Sequence, residues 1–511
     1  MLDLGRTFLQ SVERRPEAGA LVDGDLRLRY AEWLPRIGSL ARALHGLGLR
    51  KGDHLLAVMQ NRWEMATLHW ACQFAGVIIT PLNWRAKADE IEYCLEDSGA
   101  KVLVFDASSA AAVGEAPRAA KLPRIVAGLD IAGATAFETL CGESGLTPDP
   151  VAGAEDWSLM LYTSGTTGRP KGVPRRHRAE RAAALAHVAQ NAYLTGERTL
   201  GVMPLYHTMG VRSLLAMALI DGCFICLPRF DVPSALRLIA AEKISNLYLV
   251  PTLYHDLIGH PDFATTDVRS VRKLGYAGAP MTDALLGRLV EAFKPDLFVN
   301  HYGSSEIYTF TIDQKAAAKP GSAGRAGINA RVRVVRLDAK TPQDLAAPNE
   351  EGQIIADLSG DESFEGYWNR PDANAKSLRE GWYFTGDTGL LDRDGDLFVT
   401  GRVDDMIISG GENISPVDIE SVLSLHPAVD DVAVAGLKDE RWGQKVVAFI
   451  KRRADVDDAA LDAHCRTSEL PNYKRPREYV FVADIPKSPV GKILRRKLVA
   501  GEYEPDKGAS S

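Results

Sequence analysis

Along residues 30–47 apolar side chains recur at spacings of three and four, the period of a helix with one buried face, and the pattern stops near Gly46 and Gly48. A short apolar run, HLLAVM from His54, follows it. The segment WEMATLHWACQFAG returns to helical spacing, GVIITPL is again continuously apolar, and KVLVFD from Lys101 repeats that pattern. Strand, helix and strand at this separation read as βαβ units, whose crossovers make neighbouring strands parallel. The expected class is α/β, with a large multi-layer N-terminal domain of mostly parallel sheets.

After Gly401 the pattern changes. Ser415-Pro416-Val417-Asp418 offers a capping serine, a proline suited to a first turn and an aspartate that completes a capping-box-like pattern, so a helix should start there. VDDVAVAGL, KVVAFIKRR and REYVFVADI read as strands and DAALDAHCRTSEL as a helix, together a small α+β domain of about a hundred residues. The linker falls on Gly401-Arg402-Val403-Asp404. It divides the chain into an N-terminal domain at 1–401, a hinge at 402–405 and a C-terminal domain at 406–511. The last residues, DKGASS, read as frayed.

A length of 511 residues is too great for one core and agrees with that division. The formal net charge of -7 supplies no basic excess, which argues against a nucleic-acid partner. Arg175-Arg176-His177-Arg178 and residues 492–497 are local basic clusters, expected to be mostly solvated. No apolar stretch approaches a bilayer span and the N-terminus lacks the apolar core of a secretory signal. Six scattered cysteines make a disulfide framework improbable, so the expected location is cytoplasmic. Cys223 and Cys226, in GCFICLP, read as small hydrophobes of a buried strand rather than as a redox or metal pair.

The most informative segment is Tyr162-Thr163-Ser164-Gly165-Thr166-Thr167-Gly168-Arg169-Pro170-Lys171-Gly172, which follows the strand-like SLMLY. Glycines let backbone amides approach an anion, hydroxyls donate to phosphate oxygens and a lysine neutralises charge. The spacing is not that of a Walker A loop. Taken alone, such a segment could also be a polar surface turn.

Its companions resolve the choice. YTSGTTGRPKG resembles the signature loop of the adenylate-forming superfamily of acyl- and aryl-CoA ligases, peptide-synthetase adenylation domains and luciferase. Six further stretches match that superfamily in order: MPLYH at 203–207, YAGAP at 276–280, NHYGSSE at 300–306, YFTGD at 383–387, GRVDD at 401–405 and PVGK at 489–492. Within the superfamily the resemblance is strongest to 4-chlorobenzoate–CoA ligase and related bacterial aryl-CoA ligases, through GRVDDMIISGGENISPVDIE, DERWGQKV and RTSELPNYKRPREY.

The resemblance implies an AMP-forming enzyme that uses ATP and Mg²⁺ to adenylate a small carboxylic acid and then passes the acyl group to CoA. Because one anion attacks another, catalysis must rest on charge neutralisation and positioning. Glu306 is the implied Mg²⁺ ligand, a hard oxygen donor for a hard cation. Thr163, Ser164, Gly165, Thr166, Thr167, Gly168 and Lys171 would hold the phosphates. Ala279, Gly303 and Ser304 would lie beside the nucleotide, Tyr302 would stack on adenine, and Asp387 with Arg402 would take the ribose. Lys492 would bridge the carboxylate and the α-phosphate. Its neighbours Lys487, Arg495 and Arg496 are expected to be solvated or to assist with phosphate. Rotation of a mobile C-terminal domain about Asp404 would then present Gly410 and Gly411 to the pantetheine arm, with Trp442 at the nucleotide end of CoA unless it is simply a core residue.

The implied acyl pocket comprises Ala186, His207, Thr208, Met209, Tyr248, Ala279, His301, Gly303, Tyr308 and Thr309. His207 is either packed on the substrate ring, as one of the catalytic groups, or a satisfied core histidine. Aromatic and Met side chains suit a flat apolar acid. Ala186 stands about where the chlorobenzoate enzyme carries a bulky aromatic, and His301, Tyr308 and Thr309 add polarity, which favours a longer or hydroxylated aryl acid such as a cinnamate. Rival readings are a medium-chain or cyclic aliphatic acid, a carrier-protein acceptor, luciferase-like monooxygenation, and a non-catalytic nucleotide-binding protein. The last should have lost Glu306 or Lys492, and both are present. A homodimer is the expected assembly.

Overall fold

The structure, a computed structural model, describes residues 2–142, 149–163, 169–487 and 493–506. Ser164, Gly165, Thr166, Thr167, Gly168 and Lys492 therefore fall outside the described residues, as does the side chain of Asp404.

Three sheets organise the described residues. The first runs Thr135–Ala136, Arg124–Ala127, Val102–Asp106, His54–Val58, Ile78–Leu82, Trp157–Thr163, Lys171–Arg176. All its pairs are parallel except the last, a hairpin in which Thr163 faces Lys171. The second sheet has a parallel core, in spatial order Gly19–Asp23, Cys223–Cys226, Arg198–Gly201, Asn246–Leu249, Lys273–Ala277 and Leu297–Tyr302. The βαβ expectation holds in both.

Beyond Leu297–Tyr302 the second sheet continues through antiparallel strands to Leu397–Arg402, Trp382–Leu391 and Gly352–Asp357. That extension was not in the sequence reading, because its antiparallel strands include partners distant in the chain and do not show the βαβ spacing. Helices Tyr30–Gly46, Trp63–Ala75, His177–Gln190 and Thr208–Leu219 contribute to one apolar cluster together with strands of both sheets. Trp63–Ala75 is buried on every face from Glu64 onward, its polar residues Glu64, Thr67, His69 and Gln73 included.

The third sheet contains Glu412–Ile414, Ile407–Ser409, Gly443–Arg452, Val429–Asp439 and Glu478–Phe481, with helices Pro416–Leu423 and Asp458–Thr467 on a core of its own. It forms the separate C-terminal unit. The helix at Pro416 begins where its sequence indicates, but the Ser415 hydroxyl makes no cap: it donates to the carbonyl of Thr400 in the last strand before the unit.

Two charge expectations need correction. Arg175 is not solvated; its side chain and that of Glu180 are both 0% exposed and form an ion pair at 2.8 Å, while His177 is buried too. Arg495 is likewise structural, bonded at 2.6 and 2.7 Å to the carboxylate of Glu420, and Lys487 pairs with Asp431. Cys223 and Cys226 are buried strand residues, as read, and all six cysteines are free and buried. No helix among the described residues is long and apolar enough to cross a membrane.

Candidate active site

The parallel strands of the second sheet deliver Tyr248, Tyr276 and His301 near their carboxyl ends, where open α/β sheets place their ligand crevices. At the end of Leu297–Tyr302 the chain turns sharply. A Cβ on Gly303 would stand 2.1 Å from the carbonyl oxygen of Tyr308, so only glycine permits this close approach. The turn is closed by Ser304 N donating to the Ile307 carbonyl at 3.0 Å and Phe310 N to that of Tyr302 at 2.8 Å.

This turn holds Glu306 at 6% exposure. The Tyr367 hydroxyl donates to Glu306 Oε1 at 2.7 Å and lies 3.2 Å from the hydroxyl of Tyr383. Buried Arg175 donates to the Glu306 carbonyl at 2.9 Å. Lys171 stands across from this group, its Nζ 4.0 Å above the Tyr367 ring. Burial holds the Lys171 ammonium below its usual pKa, and the Glu306 carboxylate opposes that shift. Lys171 is also the residue at which the hairpin re-enters the sheet opposite Thr163, so the two rigid ends of the 164–170 segment and Glu306 converge on one place.

Next to it is a second polar group. The Tyr302 hydroxyl donates to Asp387 Oδ2 at 2.6 Å, and Arg402 Nη1 meets Asp387 Oδ1 at 2.9 Å. Burial and the adjacent carboxylate push the Tyr302 phenol well above its normal range, so it stays a donor. Ala279 is half-buried just after Gly278, whose φ of 87° shapes the turn there. Strands Leu297–Tyr302, Lys171–Arg176, Trp382–Leu391 and Leu397–Arg402 thus bring Tyr302, Lys171, Asp387 and Arg402 together from distant parts of the chain.

The expected acyl residues form a third, more deeply buried group. His207 caps helix Thr208–Leu219 by accepting from Met209 N at 3.3 Å, and Thr208 and Met209 are buried behind it. Ala186 is buried on helix His177–Gln190. Tyr248 and His301 pack edge-on at 5.1 Å, and both touch the ring of His187, at 4.7 and 5.3 Å. Tyr308 and Thr309 point into a buried ion network. The Tyr308 hydroxyl donates to Glu180 at 3.1 Å under the guanidinium of Arg175, and Thr309 Oγ1 accepts from Arg212 at 2.6 Å. Arg212 also donates to the Tyr308 carbonyl and the Tyr248 hydroxyl, while Glu362 accepts from Thr309 N at 3.1 Å.

Arg212, Glu362, His187, Asn191 and Tyr367 were missed from sequence. Arg212 did carry a signal: it is a charged residue inside the otherwise apolar helix MGVRSLLAMAL.

In the C-terminal unit, Gly410 and Gly411 have φ of 62° and 89°, and a Cβ on Gly410 would lie 2.8 Å from the Trp442 ring. Trp442 is 38% exposed, which removes the core-tryptophan alternative. The guanidinium groups of Arg441 and Arg477 lie 4.9 and 5.7 Å from its ring centroid.

A family model described as AMP-binding enzyme matches residues 8–368, and one described as AMP-binding enzyme C-terminal domain matches 418–492. The chain belongs to the AMP-binding enzyme family. A long-chain-fatty-acid–CoA ligase, FadD13, of Mycobacterium tuberculosis is 32% identical over 98% of each chain. A feruloyl-CoA synthase of Amycolatopsis sp is 33% identical over 97% of this chain and 98% of its own. A 4-chlorobenzoate–CoA ligase of Arthrobacter sp is 32% identical over 96% and 93%. Among solved structures, the anthranilate CoA ligase AuaEII in complex with anthranoyl-AMP superposes with a TM-score of 0.89 at 26% identity, covering 98% of this chain and 97% of that one. The likeness to AMP-binding enzymes thus spans both the large body and the C-terminal unit.

Proposed function

We propose that this AMP-forming acid–CoA ligase acts on an aromatic acid. The observation that carries the choice is the cluster of flat rings formed by His187, Tyr248 and His301, with centroids 4.7–5.3 Å apart, in the region expected to receive the acyl group. Flat rings packed at such distances favour a flat partner over a flexible chain, which would lose more conformational freedom on binding.

The substrate carboxylate attacks the α-phosphorus of ATP, pyrophosphate leaves, and an acyl-adenylate remains. The CoA sulfur then attacks the acyl carbon and AMP departs. Glu306 and the phosphates form an all-oxygen donor set that fits Mg²⁺, and the Tyr367 hydrogen bond presents one carboxylate oxygen while fixing the other. Bound there, the metal would neutralise phosphate charge.

Thr163, Lys171 and the 164–168 segment hold the phosphates, and Lys492 joins the two reacting anions. Tyr302 and Ala279 flank adenine, with Gly303 and Ser304 leading into the turn. Asp387, held by Arg402, takes the ribose hydroxyls. Ala186, His207, Thr208, Met209, Tyr248 and His301 enclose the acid, with Tyr308 and Thr309 behind them. His207 packs on the substrate ring.

For the second step the C-terminal unit turns about residues 402–405, with Asp404 as the pivot. Gly410 and Gly411 leave room for the pantetheine arm, and Trp442 with its two arginines receives the nucleotide end of CoA. A homodimer and a cytoplasmic location complete the proposal.

The similarity to FadD13 favours one second reading, an aliphatic acid. Pyrophosphate release with ATP and Mg²⁺, across benzoates, cinnamates and alkanoates of rising length, separates the two. Aryl acids should lead, acyl-CoA should appear only with CoA, and Lys492→Ala should abolish adenylation. Leading alkanoates would overturn the aromatic assignment and leave the catalytic one standing.

A further inference from the structure

Behind the ring cluster lies a polar arrangement that an apolar acid would not need. Asn191 Nδ2 donates to the backbone carbonyl of His187 at 2.8 Å, and since a carbonyl only accepts, this contact fixes the orientation of the amide. The same Nδ2 approaches His187 Nδ1 at 3.0 Å, so that nitrogen is the acceptor and the proton of a neutral His187 ring sits on Nε2. Asn191 Oδ1 meets His301 Nε2 at 3.2 Å, so His301 carries its proton on Nε2 and leaves Nδ1 as a lone-pair acceptor.

The chain of contacts therefore ends in one free donor, His187 Nε2–H, and one free acceptor, His301 Nδ1. Neither has a hydrogen-bond partner among the described residues, and both side chains are buried. Arg212 Nε, from the guanidinium bonded to Tyr248, is a third buried nitrogen without a partner. Buried polar atoms are nearly always paired, and three orphans around one ring cluster point to a polar group that belongs there. Burial and the nearby Arg212 cation both hold the two imidazoles well below their usual pKa, which keeps them neutral and the donor–acceptor pattern fixed.

We infer that His187, Asn191 and His301 read a neutral hydroxyl on the acid, distal to the carboxylate that is activated. A hydroxyl is the simplest group that both accepts from His187 Nε2–H and donates to His301 Nδ1. A ketone or ether offers nothing to His301, and a second carboxylate would oppose its lone pair. The inference rests on the acyl-site reading above, yet it goes beyond the choice of an aromatic acid, because a methyl or chloro substituent fills similar space without either hydrogen bond.

The test compares kcat/KM for pyrophosphate release by the unaltered protein with three matched aryl acids that differ only in a distal hydrogen, methyl or hydroxyl group, with octanoate as a separate arm. The hydroxyl acid should exceed the methyl acid by about a hundredfold or more, since a site built to bond a hydroxyl rejects the isostere that leaves its groups unpaired. In His187→Leu and in His301→Leu that ratio should fall at least tenfold, mainly through KM, while KM for ATP stays unchanged. Equal use of the hydroxyl and methyl acids by the unaltered protein would overturn the inference while leaving the aromatic assignment intact. Dominance of octanoate would instead overturn the aromatic assignment. Should either variant fail to fold, the series on the unaltered protein still decides.

Discussion

The proposed nucleotide face and the proposed acyl face of this site are built from opposite kinds of polar group. On the nucleotide face, Glu306, Asp387, Arg402 and Tyr302 are joined to one another or to Tyr367 by short, mostly charge-assisted bonds. On the acyl face, neutral imidazoles end in unpaired buried nitrogens, backed by the ion network of Arg175, Glu180, Arg212 and Glu362. Every acid requires the same charge neutralisation at the α-phosphate, so the first face can be generic. On the proposed assignment the second meets the part of the substrate that differs, and groups held unpaired and in register are what would discriminate.

Acid should have the largest effect, and it falls on the buried histidines, of the acyl side and of the surrounding core, rather than on the nucleotide side. Burial holds His54 and His177 down to about 4 and His69 to about 3, and His187 and His301 well below their usual value. Each folded-state pKa lies beneath the unfolded value near 6.5, so below that pH the unfolded chain binds more protons and stability falls. The contribution is whole above about pH 6.5 and is lost on the way down toward 4, at about 1.4 kcal/mol per pH unit for each such histidine. Thermal unfolding followed from pH 7.5 to 4.5 should show a steep decline beginning near 6.5. A midpoint that stays flat to pH 5 would mean that these rings are protonated or open to water.

Glu306→Gln tests the claim that the nucleotide face is generic. The amide keeps the shape and removes the charge that attracts Mg²⁺, and loss of one electrostatic element of this kind costs about 10²–10³ in kcat. Pyrophosphate release should fall by that factor for every acid alike, with a higher Mg²⁺ requirement. A change in the ranking of acids would break the division between the faces.

How much of this could be read from sequence follows the same line. The phosphate hairpin, Y-G-x-x-E and F-T-G-D are contiguous signatures, and the βαβ spacing around residues 54–106 was visible as periodicity. The acyl-side network was not visible, because its members come from distant elements and each looks ordinary alone. His187 and Asn191 sit four residues apart at the end of a helix, His301 hides beside the conspicuous Tyr302, and Glu362 lies in an irregular segment. Arg175 misled, since RRHR resembles a surface cluster until the fold buries one arginine against Glu180. The antiparallel extension of the second sheet was missed for a related reason: its strands depend on partners far along the chain.

The smallest expected effect is the most discriminating. The Tyr302 hydroxyl and Arg402 together occupy Asp387, which the proposed function assigns to the ribose. Tyr302→Phe removes one donor to that carboxylate and keeps the ring that would flank adenine. Such a bond to a charged group is worth about 1.5–3 kcal/mol, but Arg402 remains and the freed Asp387 oxygen is open to a ribose hydroxyl, which offsets part of the loss. KM for ATP should therefore rise only about three- to tenfold, with kcat and the hydroxyl-to-methyl ratio unchanged. Because Tyr302 is next to His301 on one strand, and neighbouring strand residues point to opposite faces, any shift in that ratio would show that the strand transmits the change. The two faces would then be one coupled site, and the separation of generic from selective chemistry would have to be drawn elsewhere than at this strand.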